Sequence, residues 1–176
     1  MEINKEELIN NLPVKWKDIT LQQYITLVEL TPKNSPESIN ESTSALELAS
    51  SYIYTFTGYN MQDLKLNTDN IVLVIRKTIE LNNDEAKTIE VDDKEIKTID
   101  EIDFDSFIKF LKFQEMNSFS VYPQMISLML KSPVSPSDIL NWDMQKVNSF
   151  FLRLLEILNQ YLEASQAFLM QKMKLI

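Results

Sequence analysis

Four carboxylates lie within six residues, at Asp100, Glu101, Asp103 and Asp105, and form the densest group of potentially reactive side chains in the sequence. Carboxylate oxygens are the ligands that Mg²⁺ and similar hard cations prefer, so Asp103 and Asp105 are candidate ligands. Acidic residues are also favoured at the start of a helix, where they cap free amide groups and complement the helix dipole. An apolar helical pattern follows directly, which favours the capping role, and we predict no metal site.

The composition excludes several kinds of catalysis. The sequence contains no histidine, no cysteine and a single glycine. Serine–histidine and cysteine–histidine catalysis and Cys-based zinc or iron–sulfur sites cannot be built from it. One glycine cannot supply a glycine-rich phosphate-binding loop. A pair of carboxylates could still act on a glycosidic bond, and this enzymatic alternative stays open. We expect no enzymatic activity and no cofactor.

The charge balance bears on partners and location. A net charge of −9 repels the nucleic-acid backbone, and only two arginines are present to contact phosphates or bases. No apolar run approaches the ~20 residues that span a bilayer, and the polar N-terminus predicts no secretory signal. We therefore expect neither direct nucleic-acid binding nor association with a membrane.

Helical signals dominate the first half of the chain. Thr20 and Gln23 fit a capping box, which predicts a helix starting just after Thr20. Ser44 and Glu47 fit a second box, and the helix that it predicts ends near Gly58, where a left-handed residue is favoured.

The middle of the chain is less regular. A third helix is predicted after Thr68, although the β-branched run 71–75 leaves a strand as an alternative. Residues 87–99 alternate on either side of Asp92 and Asp93 and predict a small β-hairpin.

The second half resumes the helical pattern. Asp103 or Asp105 is expected to cap one helix, another begins near Tyr122, and Ser135 with Pro136 starts a fourth. The predicted fold class is mainly α: a multi-helix domain with one small β-hairpin near 87–99 and a long C-terminal helix.

The last helix is predicted from residue 143 to residue 176. Residues 1–142 are predicted to form a helical region that carries the hairpin. The two parts together are expected to form a single domain. The apolar stripe of the last helix recurs at alternating spacings of three and four, at Val147, Phe150, Leu154, Ile157, Tyr161, Ala164 and Phe168. Its length of about 50 Å exceeds the roughly 30–40 Å diameter of a compact domain of this size. We therefore predict that residues 154–176 pack partly against another chain, unless the helix breaks near 164–167.

The interface hypothesis also includes aromatic residues near the N-terminus. Trp16 and Trp142 precede predicted helices, where they serve either as core anchors or as interface hot spots. The residues assigned to the predicted interface are Trp16, Tyr24, Phe150, Leu154, Ile157, Tyr161 and Phe168.

Residues 16–24, with the sequence WKDITLQQY, followed by several short apolar helices, resemble the start of small proteins of tailed bacteriophages. Tail-assembly chaperones and neck or tail-ring proteins often begin this way, and the resemblance covers residues 12–30 in detail. It implies a non-enzymatic structural component of the virion, made in the host bacterial cytoplasm. Such a subunit would form a homo-oligomeric ring at the neck or tail, the head–tail connector, and contact portal, neck or tail subunits. The alternative is a tail-assembly chaperone that binds a tail protein transiently and is absent from the mature virion.

Overall fold

The computed structural model describes residues 4–31, 41–85, 87–92 and 95–173, with side chains except at 41–43, 99 and 164–173. The described residues are mainly helical, so the mainly α fold is confirmed. The chain divides into two compact units, 1–87 and 88–176.

The first unit is built around one central helix. Its helices are α1 (Lys5–Asn10), α2 (Leu21–Leu30), α3 (Glu41–Thr57), α4 (Met61–Leu64) and α5 (Thr68–Asn83). The central α3 packs against α2 and α5, and α1 packs against α5. The core of this unit includes Ile9, Leu12, Ile19, Leu21, Ile25, Ala49, Tyr52, Ile53, Leu64, Val74 and Leu81.

One of the two predicted capping boxes forms. The Thr20 hydroxyl accepts a hydrogen bond from the Gln23 amide at 3.2 Å, and the Thr20 amide donates to the Gln23 side chain at 2.9 Å. The second box is wrong, because α3 begins at Glu41 and Ser44 therefore lies inside the helix. Gly58 adopts a left-handed φ of 73° just after α3, as predicted for the residue that ends it.

The β-branched run 71–75 is helical. It lies within α5, which Asn67 caps by accepting from the Asn70 amide at 2.8 Å. Val74, Thr78 and Leu81 are buried at helical spacing, so burial of one helix face outweighs the β-branched preference for strands. The strand alternative is wrong.

The second unit contains four helices among its described residues. These are α6 (Phe104–Glu115), α7 (Tyr122–Met129), α8 (Pro136–Ile139) and α9 (Met144–Met173). Short 3₁₀ turns precede α6 at Ile99–Glu101 and α7 at Phe119–Val121. Helix α7 packs against α6, α8 and α9. The core of this unit includes Phe107, Phe110, Met125, Ile126, Met129, Ile139, Val147, Phe150, Leu154, Ile157 and Leu158.

The predicted hairpin at 87–99 is wrong for the residues that are described, while its tip at 93–94 lies outside them. Ile96 instead forms an isolated antiparallel bridge with Leu130, and its flanking backbone groups bond to residues 129 and 131, each at 2.9 Å. The Ile89 amide, in the other predicted arm, donates to the Ser149 hydroxyl at 2.9 Å. Backbone groups of each arm therefore form hydrogen bonds with residues in or next to a helix of the second unit, and not with the other arm.

The long C-terminal helix forms as one continuous element. Asp143 precedes it and accepts from the Lys146 amide at 2.8 Å, and the helical backbone runs on to Met173. The alternative of a break near 164–167 is wrong, since these residues are helical. Residues 174–176, included in the prediction, lie outside the described residues.

Candidate functional site

The segment that carries the phage resemblance is fastened to the end of α5. The Trp16 amide donates to a carboxylate oxygen of Asp84 at 2.9 Å, and the indole N–H donates to the Asp84 carbonyl at 3.0 Å. The Tyr24 ring meets the Trp16 ring edge-on, with centroids 5.5 Å apart. Asp84 immediately follows α5, so both hydrogen bonds hold the start of the segment against the end of that helix.

These contacts give Trp16 and Tyr24 a role inside their own unit. Both side chains are half-buried, and the indole N–H already has an acceptor. Of the two interpretations of Trp16, the geometry supports the core anchor. A part for Trp16 and Tyr24 in an interface stays a prediction.

The predicted interface residues on α9 are mostly enclosed by their own unit. Phe150, Leu154 and Ile157 are buried, although all three were assigned to contact with another chain. Helix α7 and the turn before α6 pack against α9 and cover its stripe. These three side chains lie in the core of their own unit, and a part for them in an interface stays a prediction.

The other two α9 residues assigned to the predicted interface, Tyr161 and Phe168, lie further along the helix. Tyr161 is half-buried, and its ring lies 4.6 Å from that of Phe107 in α6. The side chain of Phe168 lies outside the described residues. Intramolecular packing of the stripe therefore continues at least as far as Tyr161.

Exposed apolar side chains identify a different surface, on α5. Val72 is 50% exposed and Ile79 is 52% exposed. They are two helical turns apart on one face, and the exposed Arg76 lies between them. We call Val72, Arg76 and Ile79 the α5 patch. The composition suits a homo-oligomeric interface, since such interfaces are more apolar than the remaining surface and arginine is enriched in interfaces.

The second unit exposes apolar side chains at both ends of α6. Phe104, its first residue, is 71% exposed, the largest value for a large apolar side chain among the described residues. Met116, just after the helix, is 61% exposed. Sequence reasoning missed Phe104 and the α5 patch because an apolar residue in an amphipathic pattern is normally assigned to the core.

Residues of the acidic cluster accept hydrogen bonds from backbone groups that are close to them in the sequence. Asp103 caps α6 by accepting from the Ser106 amide at 2.8 Å and from its hydroxyl at 2.7 Å, and these bonds lower the pKa of Asp103. Glu101 accepts from the Thr98 amide at 2.8 Å and pairs with Lys131 at 3.0 Å, contacts that lower its pKa. The predicted capping role of Asp103 is confirmed. Within the described ranges, no three carboxylates are grouped as a metal site.

An open groove of about 1060 Å³ lies in the first unit between α1, the connection to α2 and the end of α3. Its lining is mixed and contains Leu8, Val14, Phe56 and Tyr59 together with asparagine side chains. Lys77 lines it as well, but its ammonium donates to the carbonyls of Asn10 and Leu12, at the end of α1 and just beyond it. The carboxylates of Glu7 and Asp18 line the groove too, and its apolar and amide side chains can bind a polypeptide.

Two tyrosines have raised pKa values without forming a reactive site. Burial, with a smaller effect from Glu80, raises the pKa of Tyr52, whose hydroxyl donates to the Pro13 carbonyl. Burial also raises the pKa of Tyr122. Both phenols therefore stay protonated, and Tyr52 fastens the connection before α2 to α3. No pattern in the sequence marked Tyr52 for this contact.

No known protein family, characterised protein or solved structure matches the chain. Within the described ranges, no helix combines the length and apolar character that crossing a membrane requires.

Proposed function

We propose that the protein is a non-enzymatic component of a tailed-phage particle that acts by binding other proteins, as one subunit of a ring at the neck or tail. The sequence resemblance at residues 12–30 supports the phage assignment. The observation that carries protein binding is the α5 patch, where two half-exposed aliphatic side chains flank an arginine. Portal, neck or tail subunits are the proposed partners.

A ring of identical subunits requires two different surfaces on each chain, because every subunit meets one neighbour on each side. The α5 patch supplies one such surface in the first unit, and Phe104 supplies the other in the second unit. We propose that the α5 patch of one subunit packs against the Phe104 surface of the next.

Oligomer assembly by paired variants tests this arrangement. Val72→Asp/Ile79→Asp removes the α5 patch, and Phe104→Asp removes the surface proposed to pair with it. Each variant alone is expected to stay monomeric by native mass spectrometry at concentrations where the natural chain forms oligomers. An equimolar mixture of the two is expected to form dimers and nothing larger, because only one intact pair of surfaces remains.

Asn82→Asp/Asn83→Asp is the matched control, since it adds the same two charges at exposed positions of α5 and is expected to assemble normally. Circular dichroism checks that every variant keeps its helices. A natural chain that stays monomeric at all concentrations, or variants that still assemble, would contradict the proposed ring.

The groove in the first unit favours a second candidate, a tail-assembly chaperone. A chaperone holds a segment of its client transiently, and an open groove lined by apolar, amide and acidic side chains suits an extended polypeptide. The two candidates differ in where the protein ends up, because a chaperone is released before the particle is complete. The composition of purified particles therefore separates them.

A further inference from the structure

A second, smaller cavity lies between α6 and α7 in the second unit. Its volume is about 120 Å³, and four aromatic rings line it, from Phe113, Phe119, Tyr122 and Phe151. All four side chains are half-buried, so the cavity is open to solvent at one side. The volume is close to that of a cavity that holds one benzene-sized group.

The walls of this cavity are held by contacts among the rings themselves. Tyr122 stacks on Phe151 with centroids 4.5 Å apart and an interplanar angle of 11°, and Phe119 packs against Tyr122 at 5.0 Å. Asn117, with a left-handed φ of 46°, turns the chain between α6 and the Phe119–Val121 turn. Met125 is buried behind the rings. The cavity is therefore formed before any ligand arrives, which reduces the entropic cost of binding.

The lining determines the chemistry of the ligand. Among the described residues, no charged side chain lines the cavity, and the polar residues that line it are the neutral Gln114, Asn117 and Ser118. A charged group entering it would lose hydration without gaining an opposite charge. An apolar group would cover the ring faces, and the amide side chains of Gln114 and Asn117 can hydrogen-bond a peptide backbone at the exposed side.

We infer that this cavity binds a single large apolar side chain, of the size of leucine or phenylalanine, presented by a partner protein. Binding hot spots commonly consist of one apolar or aromatic side chain in a well-packed pocket surrounded by groups that exclude water. The inference rests on the proposed function only in taking the ligand to be part of a protein, and it names the site at which that protein is anchored.

Binding of small probes to the full-length protein tests the site directly. The probe N-acetyl-phenylalaninamide carries one aromatic side chain and two peptide groups, and N-acetyl-alaninamide lacks only the ring. We expect the first to shift the NMR resonances of Tyr122 and Phe151 saturably and the second to leave them unchanged. Equal behaviour of the two probes would overturn the inference. Saturable binding of tetramethylammonium in place of the phenylalanine probe would also overturn it, because it would identify a cation site.

Gln114→Trp covers the cavity from an exposed position on α6, and Gln160→Trp is the matched control on an exposed part of α9 that does not line it. The first variant is expected to weaken probe binding at least tenfold, and the second is expected to leave it unchanged. Unweakened binding by a folded Gln114→Trp protein would place the probe elsewhere and overturn the assignment. Because the readout is binding of a small molecule, it is independent of whether the chain is found in phage particles.

Discussion

The long-range contacts inside the first unit differ in kind from those inside the second. In the first unit, polar side chains reach distant backbone groups: Trp16 bonds to Asp84, Tyr52 to Pro13 and Ser51 to Leu30. The second unit also has long-range hydrogen bonds, such as Ile89 to Ser149, and it adds contacts between aromatic rings that are far apart in the sequence, Phe107 with Tyr161 and Tyr122 with Phe151.

This difference has consequences for the surfaces of the two units. A hydrogen bond fixes one atom against another, so it holds irregular connections such as residues 11–20 in a single path. Ring contacts occur in several orientations, and the described part of the second unit retains a small aromatic-lined cavity. The first unit is therefore suited to holding a shaped groove, and the second to accepting an apolar side chain.

Core truncations provide the strongest test of the division into two units. Ile53→Ala in the first unit and Leu154→Ala in the second each remove a fully buried side chain and are expected to cost about 2–5 kcal/mol. Because each unit encloses its own core, we expect faster hydrogen exchange only in the unit that carries the change. Hydrogen-exchange mass spectrometry resolves the two units, and equal acceleration in both would show a single cooperative structure.

A smaller effect distinguishes real caps from apparent ones. Thr20→Ala removes the capping box of α2 and is expected to lower the free energy of unfolding by about 1 kcal/mol. Ser44→Ala, at the box that does not form, is expected to cost nothing or to stabilise slightly, because alanine is the better residue inside a helix. Urea denaturation measures both variants, and an equal loss would mean that Ser44 also acts as a cap.

The smallest predicted effect is a pH dependence confined to the second unit. The pKa of Glu101 lies below its ordinary value of 4.5 in the folded protein, and that of Asp103 lies below 3.8. Their contribution to stability is therefore present above these ordinary values and is lost as the pH falls through the lowered ones. Both groups are solvent-exposed, so the effect is modest. Glu101→Gln is expected to flatten the decline of the second unit's thermal midpoint between about pH 5 and pH 3, and an unchanged decline would show that Glu101 does not contribute.

Local signals in the sequence predicted much of the helical fold. The Thr20 box, Gly58, Asp103 and Ser135 each act through neighbours within a few residues, and the helix starts and ends that they indicate are present. The hairpin at 87–99 failed because strand alternation does not identify the pairing partner. Ile96 pairs with Leu130, a residue 34 positions away, and no local pattern encodes that choice.

For the predicted site, the sequence pattern alone could not decide between a core and an interface. The heptad-like stripe of α9 correctly marked residues that need an apolar partner, but it could not tell whether that partner lies in the same chain. Phe150, Leu154 and Ile157 are covered by their own unit. Val72, Ile79 and Phe104 are exposed. The sequence pattern missed them because their spacing does not distinguish them from core residues.

The composition of the assembled particle tests the central claim most directly. If the protein is the phage component that we propose, quantitative mass spectrometry of purified particles of that phage should find it at a fixed number of several copies per particle, together with portal and tail proteins. Its absence from particles, combined with abundance in the lysate of infected cells, would contradict a structural subunit and would favour the chaperone that the groove suggests.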